Sequence, residues 1–278
     1  MTPEEKIQKI KNQGIQNLCI ISDFDDTISI GLKKDGSMGS NSFSVYCNNP
    51  ELLGKEYIIE TNKLFEKYNS IDKDMNISNK EKIKSSIEWY KLEFELYKKY
   101  KYSKTTINTI IENNLMKLKK QTLDFFQLIN KNKIETIIFS AGLYNLIHEF
   151  LKSKHVDHKY IHVVANKFIF DKNNYFQKIE GKIFHSLNKT FPELSHLSIY
   201  DDLKNKQTCM ILGDSISDTN MTEGSNFKTT LKIGFINKQK SDKNYNSILK
   251  EFQNHFDIIL EGTEDFTKIN QILKQIIN

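Results

Sequence analysis

Cysteine, proline and tryptophan are scarce in this chain of 278 residues, with three, three and one copies. Cys19, Cys47 and Cys209 show neither the paired spacing of a zinc site nor the density of a disulfide framework, which excludes a small disulfide-stapled scaffold. Cys19 and Cys209 stand inside apolar runs and are expected as buried thiols. No apolar run approaches the ~20 residues that a membrane helix needs. The first residues, MTPEEKIQKIKNQG, are charged where an export signal would be apolar. A cytoplasmic protein with no membrane partner is the expectation. An excess of one charge is missing as well, since 40 basic and 35 acidic residues leave +5, mixed along the chain. That is not the basic stripe of a nucleic-acid binder, so no nucleic acid polymer is expected as partner. With 38% hydrophobic and 27% charged residues, the length suits one large core, or a core carrying an inserted lobe.

Four short patterns stand out against this background. The run from Leu18 to Ile21 reads as a buried strand, and Asp23 and Asp25 follow it directly. Residues two apart in an extended segment share a side, so both carboxylates can face one pocket while Phe24 points away. Two carboxylates that close repel unless a cation lies between them or one keeps a proton. The second pattern, Cys209 to Leu212 followed by Gly213-Asp214 and then Asp218, again delivers carboxylates at a strand end, suited to a hard cation such as Mg²⁺. The third is the apolar run Ile137 to Phe139 ending in Ser140-Ala141-Gly142, which offers a hydroxyl and free N–H groups to an oxyanion. The fourth is Lys189, which on its own reads as one more surface lysine.

Along the chain, Thr2-Pro3-Glu4-Glu5 signals a capped helix that should end near Gly14. Residues 31–50, rich in Gly, Ser and Asn, read as a connecting loop. From about Glu51 to Leu118 apolar residues recur at helical intervals, and beyond that short apolar strands alternate with helices to the end. The expected fold is an α/β core interrupted after its first strand by a helical lobe.

In this order the four patterns resemble the signature set of the haloacid dehalogenase superfamily of phosphatases. Within it the chain resembles the pyrimidine 5′-nucleotidase family, also called cytosolic 5′-nucleotidase III. The residues that carry the resemblance are SDFDDTIS (22–29), IEWY (87–90), FSAG (139–142), VVANKFIFD (163–171), IFHSLNK (183–189), ILGDSISD (211–218) and LKIGFIN (231–237). It implies a Rossmann-like core of residues 1–30 and 121–278 with a helical cap, residues 31–120, inserted after the first core strand. It implies Asp23 as nucleophile and Asp25 as general acid and then base. Thr27, Ser140, Ala141, Gly142 and Lys189 would form the phosphate-binding group, Thr27 by positioning Asp25 or the backbone. Asp23, Asp25 (through its carbonyl), Asp214 and Asp218 would hold Mg²⁺. A carboxylate at Asp25 suits a phosphatase, because an oxygen leaving group needs a proton and a persistent aspartyl-phosphate does not.

The resemblance further implies a monomeric 5′-nucleotidase acting on nucleoside 5′-monophosphates, UMP and CMP before others, with 7-methylguanosine monophosphate as the alternative. Glu88 and Phe94 are the expected base-binding residues of the lobe, Phe94 standing where many relatives carry histidine. The competing reading of Glu88 is a surface pair with a nearby lysine, whereas Trp89, the only tryptophan, is expected as a core anchor of the helical lobe. A catalytically silent protein that keeps the fold is the reading of a different class, opposed by the presence of every expected catalytic residue.

Overall fold

A computed structural model describes residues 1–74, 76–156, 159–263 and 265–278, with Lys73 described by its backbone alone. The first helix, α1 (Pro3–Gln13), has the capping box that the sequence signals: Thr2 Oγ1 accepts from the Glu5 N–H, Glu5 reaches back to the Thr2 N–H, and Gly14 follows the last turn. The chain then enters β1 (Leu18–Ser22), every residue of which is buried.

Between β1 and the next strand lie α2 (Ser44–Asn48), α3 (Lys55–Lys73), α4 (Asn79–Lys99) and α5 (Lys104–Glu112). The short helix α2 breaks into the stretch expected as loop, because Asn41 caps it locally: its Oδ1 accepts from the Phe43 and Ser44 N–H groups. After these come α6 (Thr122–Asn132), β2 (Thr136–Leu143), α7 (Tyr144–Ser153), β3 (Ile161–Phe170) and β4 (Phe176–Glu180). The chain ends with α8 (Tyr200–Asn205), β5 (Thr208–Gly213), β6 (Thr229–Ile236), α9 (Tyr245–His255), β7 (Ile258–Glu261) and α10 (Thr267–Ile277).

Among the described residues seven strands form one sheet in the order β4, β3, β2, β1, β5, β6, β7. It is parallel except for β4, which pairs antiparallel with β3. Side-chain alternation divides the central strands between two cores. Ile20, Ile138, Met210 and Leu212 join Ile10, Phe125, Phe150 and Leu273 of the helices on one face. Cys19, Ile21, Ile137, Phe139, Cys209 and Ile211 meet Phe184, Phe191, Leu194 and Met221 on the other. Cys19 and Cys209 are thus buried thiols, as expected.

The lobe is held to the sheet by an aromatic cluster. Phe94 and Tyr97 of α4 pack with Phe168 and Phe176 of the β3–β4 hairpin, and Tyr102 packs with Tyr97 and Phe168, at ring separations of 5.0 to 6.5 Å. The hairpin follows residue 120 in sequence yet packs on the helices, a contact that helical periodicity does not reveal.

Candidate active site

Register brings the first three patterns together. Ser22 of β1 pairs with Ile138 of β2 and with Leu212 of β5, so one residue further on is Asp23 and two residues beyond the partners are Ser140 and Asp214. All three reach the carboxyl edge of the central strands, where open α/β sheets place their chemistry. The Asp23 N–H continues the ladder, donating to the Leu212 carbonyl at 2.9 Å. The chain then turns sharply: Asp26 has φ 61°, and the Ile28 and Ser29 N–H groups both donate back to the Phe24 carbonyl.

The fourth pattern arrives from 166 residues away in sequence. Lys189 is buried, and its Nζ donates to Asp23 Oδ1 and Asp218 Oδ1, each at 2.7 Å. Burial alone would lower its pKa, but the two carboxylates hold it above the ordinary lysine value. Asn166 steers this loop, donating through Nδ2 to the carbonyls of Ala141 at 2.7 Å and Phe184 at 2.9 Å while its Oδ1 accepts from the Phe184 N–H. It thereby ties the Ser140 turn to the segment that leads to Lys189.

Asp23, Asp214 and Asp218 each present a carboxylate oxygen, and these lie within 4.8 Å of one another. Burial, then the neighbouring Asp218 and Asp25 charges, push Asp23 up to about 8 against the pull of Lys189. Asp214 is raised by burial and then by Asp218, Asp23 and Asp26. Three oxygen donors in mutual repulsion, with one lysine to offset them, fit a hard divalent cation such as Mg²⁺. Gly213 lets Asp218 close on this group, since a Cβ there would meet Asp218 Cβ at 2.4 Å. The Asp214 and Ser215 N–H groups donate to Asp218 Oδ2 and orient it.

Asp25 has a separate setting. Its Oδ1 accepts from the Ser42 N–H at 2.8 Å and its Oδ2 from the Ser42 hydroxyl at 2.5 Å. Burial pushes its carboxyl up to about 6, and the Ser42 bonds restrain the rise. A cradle adjoins it: a Cβ on Gly142 would meet Ser42 Oγ at 2.2 Å, Asp25 Oδ2 at 2.7 Å and Ser140 Oγ at 3.0 Å. The Gly142 N–H donates to Ser140 Oγ at 2.9 Å. Thr27 is fully buried and its hydroxyl bonds neither Asp25 nor any other described group. Ser42 was not among the expected residues, because a serine inside a Gly, Ser and Asn-rich loop carries no sequence signal of its own.

Beside Asp25 opens a cavity of about 340 Å³ whose walls include Asn41, Phe43, Tyr57, Phe65, Trp89 and Tyr90, with Glu93 in its lining. Glu93 is buried and accepts from the Tyr57 hydroxyl at 2.5 Å and from Thr61 Oγ1 at 2.8 Å. Burial raises its pKa, and these two hydrogen bonds act against the rise. The two expected base-binding residues lie elsewhere. Glu88 is exposed on α4, accepting from the Tyr68 hydroxyl at 2.6 Å with Lys67 3.6 Å away. At about 100° per residue Glu88 lies roughly 100° round the helix from Trp89 and 200° from Tyr90, so it points away from the cavity those two line. Phe94 is buried in the aromatic cluster and lines no part of the cavity. Trp89, expected as a core anchor, is instead half-buried and faces the cavity, stacking on Tyr68 at 6.2 Å. Glu93 was missed because no signature motif contains it.

Residues 27–277 match the pyrimidine 5′-nucleotidase (UMPH-1) family. The chain belongs to that family. It is a 5′-nucleotidase of the haloacid dehalogenase type, a phosphoric monoester hydrolase. The mouse 7-methylguanosine phosphate-specific 5′-nucleotidase is 27% identical over 275 residues, covering 99% of this chain and 89% of that protein. The Drosophila melanogaster protein of the same name is 29% identical over 266 residues, covering 94% and 81%. The crystal structure of cytosolic 5′-nucleotidase IIIB bound to cytidine is similar with a TM-score of 0.84 at 27% identity, covering 98% of this chain and 90% of that one. A phosphoserine phosphatase structure, at 16% identity and a TM-score of 0.55, shares the fold.

Proposed function

We propose that this 5′-nucleotidase hydrolyses nucleoside 5′-monophosphates with Mg²⁺, through an aspartyl-phosphate (acyl phosphate) intermediate on Asp23, and that residues 31–120 act as the cap that reads the base. One Asp23 oxygen attacks phosphorus as the P–O5′ bond breaks, and Asp25 gives its proton to O5′. Water then attacks phosphorus, passes a proton to Asp25 and releases Asp23 and inorganic phosphate. An Asp25 carboxyl held near 6 is poised for both directions of transfer. Ser140, the backbone of Ala141 and Gly142, and Lys189 hold the phosphoryl oxygens. Asp23, the Asp25 carbonyl and Asp214 would ligate Mg²⁺, with Asp218 supporting them, and the ion would offset phosphate charge. A cytosolic setting agrees with the names of relatives such as cytosolic 5′-nucleotidase IIIB.

The observation that carries the base assignment is the aromatic cavity with Glu93 in its wall, joined to Asp25 through the adjacent Asn41 and Ser42. A carboxylate offers acceptors only, so it suits an edge with two neighbouring donors. Guanine presents N1–H and N2–H₂ side by side, whereas cytosine and uracil place acceptors next to their single donor. A cationic 7-methylguanine would also gain from the rings and from the buried negative charge. We therefore place 7-methylguanosine monophosphate ahead of the UMP and CMP first expected, in keeping with the names of the mouse and fly relatives. The cytidine bound to the similar structure supports CMP as the second reading. Phosphate release from 7-methylguanosine monophosphate, CMP, UMP and AMP, with Mg²⁺ and with EDTA, tests both. The expected result is Mg²⁺-dependent release with the highest kcat/KM for the methylated nucleotide. A higher value for CMP would reverse the base order, and no release from any nucleotide would overturn the activity.

A further inference from the structure

A second cavity, of about 870 Å³, shares no residue with the Asp23 site. It lies where residues 30–40 pass the linker 114–120 between α5 and α6, near the loop after β7. Its size is that of a site for a drug-sized ligand. Lys33, Lys34, Lys117, Lys119 and Lys120 line it, against the single carboxylate of Asp265 among the described residues. None of the five lysines forms an ion pair among the described residues. Five ammonium groups with no ion pair among the described residues set up a positive potential in this concavity that favours a bound anion.

Lys119 gives the clearest sign. It is only 5% exposed, yet its Nζ forms no ion pair among the described residues; its hydrogen bond goes to the neutral Asn237 Oδ1 at 2.9 Å, and it sits 4.7 Å from the centre of the Phe235 ring. Asp214, Asp26 and Asp265 act on it only beyond ion-pair distance, and a buried cation needs compensating charge at closer range. The other four lysines are exposed and can swing toward a ligand. Because the chain contains no arginine, lysine is the cation available for such a site. Lysines spaced around a cavity match several phosphate groups in series better than one, since each ammonium acts as a point charge. Ile30, Leu32, Met38 and Leu115 supply an apolar wall beside them.

We propose that this cavity binds an anion carrying two or more linked phosphate groups, either an inorganic oligophosphate or a nucleoside polyphosphate. The site adjoins the catalytic loop. The Lys119 N–H donates to the Ile28 carbonyl, the Ile30 N–H to the Lys117 carbonyl, and Asn237, which holds Lys119, donates through Nδ2 to the Asp26 carbonyl, each at 2.9 Å. An occupant would stiffen the segment that leads out of Asp25. Nothing in this proposal depends on which nucleotide is hydrolysed.

The test is calorimetric titration of the full chain, in EDTA, with tripolyphosphate, ATP and inorganic phosphate. EDTA removes the cation that an anion would need among the Asp23, Asp214 and Asp218 carboxylates. Tripolyphosphate should bind about tenfold or more tightly than phosphate, and Lys33→Gln/Lys34→Gln/Lys117→Gln should weaken it by about tenfold or more. Those three side chains are exposed, so the variant should fold and keep its basal hydrolysis. ATP binding tighter than tripolyphosphate assigns the apolar wall to a base, and equal binding assigns the site to the phosphate chain alone; both support it. No binding of either, or binding that survives the triple substitution, overturns it.

Discussion

Lys189 Nζ lies 2.7 Å from Asp23 Oδ1, and both groups are buried. The same ammonium reaches Asp218 at the same distance, so one cation joins the proposed nucleophile to the acid proposed to support a metal. A buried pair is expensive to break, because the surviving carboxylates keep their desolvation cost without compensation.

Lys189→Met should therefore lose catalysis and stability together. The expected loss in kcat is about two to three orders of magnitude, the scale of removing one preorganised oxyanion partner. Stability should fall by roughly 3–5 kcal/mol in EDTA, and added Mg²⁺ should raise the melting temperature more than in the wild type. Scanning calorimetry with and without Mg²⁺ checks this. Equal stabilisation by Mg²⁺ in both proteins would mean that lysine and metal do not serve the same carboxylates.

Ser42 should set the pH at which Asp25 works. Burial holds this carboxyl near 6 and the two Ser42 bonds pull it down, so Ser42→Ala, which removes the hydroxyl, should push it higher. A step that needs protonated Asp25 slows as pH rises through its pKa, and the alkaline limb of kcat should move to higher pH in the variant. Parallel pH profiles at saturating Mg²⁺ read this displacement directly. Superimposable limbs would remove Ser42 from the control of Asp25.

Base discrimination should reside in Glu93 rather than Glu88. Glu93→Gln should cost about 1.5–3 kcal/mol in kcat/KM on 7-methylguanosine monophosphate, roughly one to two orders of magnitude, with little effect on a small aryl phosphate. Glu88→Gln should change little, since Glu88 is exposed and its contacts with Tyr68 and Lys67 lie outside the aromatic cavity. Equal losses for Glu93→Gln on nucleotide and aryl phosphate would point to lobe packing instead.

Lys119 should leave a mark on stability against pH. Burial lowers it from the ordinary 10.5 to about 8 in the folded chain, with Asp214, Asp26 and Asp265 opposing the fall. Between those values the unfolded chain binds the extra proton, so this lysine costs stability in full below about 8 and the cost fades as pH rises toward 10.5. Lys119→Met escapes it, and its stability relative to wild type should decline steadily from pH 7 to 10. Denaturant midpoints at matched pH measure the difference, and a flat difference would show that the buried ammonium is fully compensated.

What the sequence determined by itself was the chemistry at strand ends. Leu18 to Ile21 and Cys209 to Leu212 are apolar runs that form strands, and acids placed just after a strand have nowhere to go but the sheet edge. Asp23, Asp25, Asp214 and Ser140 were legible for that reason, as were the capped first helix and the helical character of the lobe. The side chains that surround these groups were decided by tertiary structure. Ser42 reaches Asp25 only because the loop after β1 folds back over it, and Asn166 joins two turns that sequence separates by 43 positions, 184 less 141. Glu88 and Glu93 illustrate the limit most plainly. Both are glutamates on one helix, five positions apart, and periodicity says only that they face different ways. Which of the two faces the aromatic cavity depended on where Phe43, Tyr57 and the β3–β4 hairpin pack, and those contacts come from distant parts of the chain that carry no local pattern.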